Sequence, residues 1–150
     1  MERALEQIEA FLRMAAQHAQ RWGITLVIEH NNRSETNTMN HFSDAVAMMR
    51  RVAHPNVKVL CDYYHVRFEG DGPEMLLDGG DQLAHTHIAP LEGRRYLTDL
   101  EKEPMIYPYA RVLRQLGYEG GISIEGKTDS FESWHEDARL TLENLRAVFG

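Results

Sequence analysis

Four short stretches of the chain end in a side chain able to hold a metal or move a proton. They are Leu26-Val-Ile-Glu29, Leu60-Cys-Asp62, Ala84-His-Thr-His87 and Gly121-Ile-Ser-Ile-Glu125. Three carboxylates and one imidazole gathered in one place repel each other unless a counter-charge sits among them, and a divalent cation supplies it. An oxygen-rich set with a single histidine suits Mn²⁺ or Mg²⁺ and admits Co²⁺ or Zn²⁺. Open coordination positions on such an ion would let it hold a carbonyl and its neighbouring hydroxyl. Each residue alone has a plainer reading. An acid after a strand commonly caps a helix, Asp62-Tyr-Tyr-His65 reads as a capped turn, and His85 and His87 share a strand face where hydrogen bonding is the usual role. The argument rests on recurrence over four successive strands.

The elements that must position these groups alternate with little between them. Residues 2–21 place Leu5, Ile8, Phe11, Leu12, Ala15, Ala16 and Ala19 on one helical stripe, stopped by Gly23. Ile24 to Glu29 reads as a strand and Asn31 to Asn40 as a polar loop. His41 to Ala53 reads as a helix with Val46, Met49 and Val52 inward, capped by Asn40 or Ser43. Val57 to Cys61 is a second strand; the breakers Gly70, Asp71, Gly72 and Pro73 precede a short helix at Glu74 to Leu77. Leu83 to Ile88 is a third strand, residues 89–105 a long loop, and Ile106 to Leu116 a helix closed by Gly117. Gly121 to Glu125 is a fourth strand, and Ser133 to Phe149 a terminal helix with Leu140, Leu142, Leu145 and Val148 on its stripe.

One helix followed by four βα units predicts an α/β fold with a parallel sheet over a single domain, residues 1–150. Ligands of such sheets bind at the C-terminal strand ends, where the four groups stand. Alternation sends Glu29 with Val27 and Thr25 to one face, while Ile24, Leu26 and Ile28 face the helices. Trp22 and Trp134 are expected to pack helices against the sheet, and Met14, Met39, Met48, Met49 and Met75 to fill the core. His30, beside Glu29, is expected to support that ligand from behind.

Composition narrows the function classes. Sixteen basic residues against twenty-three acidic ones give a net charge of −7, which disfavours nucleic acid and anionic membrane as partners. No apolar run approaches the ~20 residues of a membrane span. The N-terminal segment is amphipathic and charged, unlike a signal peptide. The one cysteine, Cys61, lies in an apolar run and reads as a buried reduced thiol, which places the protein in the cytoplasm.

The order Glu, Asp-x-x-His, His, Glu at successive strand ends resembles the xylose isomerase-like TIM barrels, which include ketose 3-epimerases and hydroxypyruvate isomerase-like proteins. The stretches that carry the resemblance are Leu26 to Glu29, Leu60 to His65, Ala84 to Ala89 and Gly117 to Glu125. The resemblance implies that the four strands correspond to the fifth to eighth of an eight-stranded barrel, so that the chain is a half-barrel. It implies a metal held by Glu29, Asp62, His87 and Glu125, with Glu29 and Glu125 as the catalytic acid and base. It further implies that Glu35, His65 and Arg94 bind substrate, with Arg95 as the alternative arginine. The activity implied is isomerisation or epimerisation of a small sugar, by proton transfer through an enediolate.

A complete barrel takes about 250 residues. The chain therefore reads as a truncated product or as a half-barrel that assembles with another chain. An open four-stranded parallel sheet leaves two edges and an inner face uncovered, which predicts a homodimer or higher oligomer. Two other functions stay open. One is a half-barrel that keeps metal or sugar affinity without turnover. The other is a relative of the abasic-site endonucleases in the same superfamily. Residues 89–105 lack the further histidine that the latter's multi-metal site requires.

Overall fold

Helix and strand alternate from Glu2 to Phe149 in a computed structural model that describes residues 1–128 and 130–150. Strands β1 (Leu26–Glu29), β2 (Val57–Asp62), β3 (Leu83–Ile88) and β4 (Gly121–Ile124) form one parallel sheet in the order β1-β2-β3-β4. Helices α1 (Glu2–Gln20), α2 (Phe42–Val52), α3 (Tyr63–Glu69), α4 (Ile106–Gln115) and α5 (Trp134–Phe149) complete the chain. The result is the open α/β half-barrel that the alternation predicts.

The core lies between the sheet and its helices. Val57, Val59 and Cys61 of β2 point into it and are almost wholly buried, as are Phe42, Ala45, Val46 and Val52 of α2 and Ile106, Tyr109 and Ala110 of α4. Behind β2 and β3, Thr86 Oγ1 donates to the Cys61 carbonyl at 2.7 Å and lies 2.6 Å from the Tyr109 hydroxyl. Tyr109 stands edge-to-face with Tyr63, with ring centroids 5.0 Å apart.

Several local expectations are corrected. β1 begins at Leu26, not Ile24, because its neighbour offers no partner before Val57. Ile24 is held instead by the turn: its N–H donates to Ala19 O, and Asn56 Nδ2 donates to its carbonyl. The capped turn at Asp62 continues into α3. The Asp62 carboxylate accepts from the Tyr64 and His65 N–H groups, and Gly70 ends the helix at φ 76°. The β-prone run Tyr63-Tyr-His-Val concealed that helix. The segment expected as a short helix at Glu74–Leu77 is a 3₁₀ turn, Pro73–Asp78. At α2 neither Asn40 nor Ser43 is the cap. His41 holds that position, the Asp44 carboxylate accepts from its N–H, and the Asn40 amide is engaged by the Asn31 and Thr36 carbonyls.

On α5 the buried stripe is Thr141, Leu145 and Val148, and Leu142 turns outward. Phe11, Met14 and Trp22 were expected inside, yet Trp22 is 79% exposed and the other two are more than half exposed. Ile24 before β1 and Val27 within it are also exposed, Val27 on the inner face that Glu29 shares. On α1 the buried side chains are Ala16 and Ala19, with Leu5, Ile8 and Leu12 partly buried against the core, while Phe11 and Met14 lie on its exposed flank.

Thr86→Val keeps the shape of the side chain and removes its hydroxyl from a buried site. The unfolding free energy is expected to fall by about 1–3 kcal/mol, seen as a lower urea midpoint at unchanged slope. An unchanged midpoint would show that the Cys61–Thr86–Tyr109 contacts give no net stability.

Candidate metal centre

Parallel register brings the four strand ends to one rim. Glu29 and Asp62 are the last residues of β1 and β2. His87 lies opposite both Asp62 and Ser123, and Glu125 follows β4 with its N–H donating to Ile88 O at 3.2 Å. Their neighbours Ile28, Cys61 and Ile88 are buried on the helix side, so alternation sends the ionisable groups to the inner face. One donor atom from each of Glu29, Asp62, His87 and Glu125 lies within 4.8 Å of all the others. Ligands about 2.0–2.6 Å from a shared ion sit at most about 5 Å apart, so this donor set fits one divalent cation. The nitrogen turned into the cluster is His87 Nδ1. It lies 3.1 Å from Glu29 Oε1, 3.9 Å from Asp62 Oδ2, and against Glu125 Oε2.

Asp62 serves both fold and cluster. Its Oδ1 accepts from Tyr64 N at 2.7 Å and from His65 N at 3.4 Å, capping α3, while Oδ2 faces the other ligands. Burial, aided by the charges of Glu29 and Glu125 and opposed by Arg94, pushes the Asp62 carboxyl up to about 7. Glu29 is also raised, first by burial and then by Glu125. Two acids held back from ionising mark a place that lacks positive charge, and a bound cation would reverse both shifts.

The three residues expected to bind substrate stand around the cluster. His65 is wholly buried and held by the loop after β1. The Asn32 main-chain N–H donates to its Nδ1 at 3.3 Å, and its Nε2 lies 3.2 Å from Asn31 Nδ2 and 3.9 Å from Glu35 Oε2. Burial, and then Arg94, holds the His65 pKa below its usual value, so the ring is neutral. Glu35 Oε1 accepts from Asn32 Nδ2 at 3.0 Å and lies 3.4 Å from Arg94 Nη1. Arg94 Nη2 lies 2.9 Å from both Asp62 Oδ2 and Glu125 Oε1, and its guanidinium is 4.8 Å from the centre of the Tyr64 ring. Arg95 lines an outer cavity with Tyr96, Thr98 and Lys127. The structure thus brings Arg94, and not Arg95, to the cluster.

The loop that carries Arg94 is fastened on both sides. Gly93 and Arg94 are both left-handed, at φ 68° and 51°. The Arg94 carbonyl accepts from Lys127 N at 2.7 Å, and Tyr96 N donates to Lys127 O at 3.2 Å. Gly126 makes this approach possible, since a Cβ there would lie 2.7 Å from the Arg95 carbonyl oxygen. Glu103, nearly buried, accepts from Tyr63 Oη, Arg67 Nε and Leu91 N, joining this loop to α3.

Sequence reasoning missed Asn31, Asn32, Tyr64 and Glu103. The two asparagines directly follow Glu29-His30 and could have been noticed as a polar pair at a strand end. Glu103 offers no local signal, because its partners are distant in the chain.

His30 stands behind Glu29 but makes no hydrogen bond. Neither ring nitrogen has a partner, and the ring packs edge-on against Phe42 and His65, each with centroids 5.9 Å away. Burial pushes its pKa down to about 3, with only a small opposing pull from the Leu60 backbone.

Comparison with known proteins extends this picture. A family model described as a xylose isomerase-like TIM barrel matches residues 1–148. The L-ribulose 3-epimerase of Methylomonas sp. (strain DH-1) is 32% identical over 133 residues, covering 88% of this chain and 44% of that enzyme. The crystal structure of a D-allulose 3-epimerase from Methylomonas sp. in complex with D-allulose superposes with a TM-score of 0.80 at 28% identity, over 93% of this chain and 54% of the other. A D-psicose 3-epimerase from Clostridium cellulolyticum H10 shares the fold, with a TM-score of 0.85 at 22% identity over 97% of this chain and 56% of the other. The chain spans about half the length of these relatives.

The His30 ring gives a pH prediction with a definite sign. Its folded pKa lies below the unfolded value of about 6.5, so the stability it contributes is present above that pH and lost as pH falls toward about 3. The stability of His30→Leu relative to wild type should therefore rise steadily between about pH 6.5 and 4 in paired urea titrations. A constant difference across that window would refute the neutral, unpartnered ring.

Proposed function

This chain belongs to the xylose isomerase-like TIM barrel family, and from that premise we propose that it carries the metal-binding half of a sugar epimerase or isomerase. Glu29, Asp62, His87 and Glu125 would hold one divalent cation, Mn²⁺ or Mg²⁺ by the hardness of the donor set, with Co²⁺ or Zn²⁺ also accommodated. The observation that carries this reading is the convergence of those four donors within 4.8 Å. The substrate class follows from the named activities of the relatives, which are 3-epimerases of ketoses. When bound, the cation would polarise a substrate carbonyl and its neighbouring hydroxyl.

The remaining chemistry falls to the chain's own side chains. Glu29 and Glu125 both lie against His87 Nδ1 from different strands, so each faces the cluster from its own side. One removes the proton beside the carbonyl, and the other returns a proton to the opposite face in an epimerisation. His65 Nε2, which lies beside Glu35, would meet a substrate oxygen, and Glu35 accepts from a substrate hydroxyl. Arg94 counters the negative charge that develops on the substrate oxygens.

Mn²⁺ is expected to raise the melting temperature of wild type by several degrees at saturating concentration and to leave Glu125→Ala unmoved. Turnover of D-psicose or L-ribulose, followed by polarimetry with Mn²⁺ present, then separates an enzyme from a half-barrel that binds without reacting. No shift in wild type would defeat the metal assignment.

A second copy of this chain is the proposed cover for the open side of the sheet. Support comes from the exposed apolar side chains Phe11, Met14, Trp22 and Ile24 and from Val27 on the uncovered inner face, and from the relatives, which have about as much chain again. A parallel edge at β1 and another at β4 would let two copies close head to tail into eight strands. Light scattering at micromolar concentration should give twice the 17.3 kDa chain mass; a monodisperse monomer would overturn this assembly.

A further inference from the structure

The Arg94 guanidinium lies where it contacts three carboxylates at once. Its Nη2 is 2.9 Å from Asp62 Oδ2 and 2.9 Å from Glu125 Oε1, and its Nη1 is 3.4 Å from Glu35 Oε1. Two of those acids belong to the four-donor cluster. The contact with Asp62 matters most. Asp62 Oδ1 is committed to capping α3 through Tyr64 N and His65 N, so Oδ2 is the oxygen left to face a metal, and Arg94 holds it. The Arg94 side chain is 14% exposed, so these charge-assisted contacts are shielded from water. Its backbone is pinned by the bond from Lys127 N to its carbonyl and by the close approach at Gly126, leaving the side chain as the part that can move.

We infer that Arg94 is a resident counter-ion of the cluster and competes with the metal for Asp62 Oδ2 and Glu125 Oε1. The inference rests on the metal assignment above and deepens it. Without metal, the guanidinium offsets the repulsion among the carboxylates. On loading, it gives up those two oxygens and retains Glu35 and the face of Tyr64. That move brings it to the side of the cluster where Glu35 and His65 stand, so metal occupancy and the presentation of Arg94 to substrate are coupled. The cost of displacing it is built into the metal affinity. Removing it should therefore strengthen metal binding while weakening the metal-free fold, the reverse of removing a ligand.

The test is calorimetric titration of Mn²⁺ into wild type, Arg94→Met, Arg94→Lys and Glu125→Ala, with melting of each protein in EDTA. Methionine keeps much of the apolar stem against Tyr64, and lysine keeps the charge without the fork. Arg94→Met is expected to bind Mn²⁺ about tenfold more tightly or better and to melt lower in EDTA, with Arg94→Lys between it and wild type. If Arg94→Met does not fold, tighter binding by Arg94→Lys than by wild type carries the same conclusion. Equal or weaker binding by the folded Arg94 variants, with wild type binding normally and Glu125→Ala not binding, overturns the competition and leaves the metal site standing. No Mn²⁺ uptake by any of the proteins overturns both.

Discussion

Negative charge gathered at one end of a parallel sheet must be neutralised where it stands, because the sheet cannot move one strand end without breaking the ladder to its neighbours. Glu29, Asp62 and Glu125 are fixed in this way by the register of four strands. Burial deepens the problem, holding Asp62 and Glu29 above their ordinary pKa values. Positive charge can come from the Arg94 guanidinium, whose Nη2 lies against Asp62 and Glu125, or from a metal ion, which fits the same space. Much of what surrounds the rim serves to deliver these charges or to hold their partners in place.

Helix α3 is the piece through which that delivery is organised. It begins on Asp62, so the cap of the helix and a ligand of the cluster are one side chain. Its first turn carries Tyr64 beneath Arg94 and His65 beside Glu35. Its outer face is clasped by Glu103, which takes hydrogen bonds from Tyr63 and Arg67 and also from Leu91 at the start of the arginine loop. Its far end holds the other loop: Glu69 pairs with Arg33, and Asp71 just beyond it lies 2.9 Å from His41. The loops that carry Glu35 and Arg94 are thus both anchored to one short helix, and a disturbance of Asp62 would reach the two residues together.

That division explains what could be read from the residues alone. The meeting of four ionisable groups at the strand ends was legible because strand parity has a period of two and because such a group at the end of each apolar run recurs. The parallel order followed from the alternation of elements. Helix α3 was not legible, since its aromatic and β-branched residues favour a strand and only the Asp62 cap and Gly70 argue for a helix. Nor was Glu103, whose meaning lies in partners some 36 and 40 positions away. The reversal of Phe11, Met14 and Trp22 has a different origin. Their periodicity is that of a helix with two apolar flanks, and only one flank meets the core described here.

The second flank bears on how function is divided along the fold. All four donors, and the three residues proposed to face the substrate, come from strands, loops and the first turn of α3 within residues 29–125. What these residues do not supply is the far wall of the barrel, since β1 and β4 end the sheet on each side among the described residues. Metal affinity depends on donors whose positions are set by local register, and it can therefore be a property of this half. Substrate affinity depends on enclosure as well, because excluding water from the site is what makes the His65 and Arg94 contacts strong. The two properties are separable in principle. Covering the open edges would therefore act on sugar affinity more than on metal affinity.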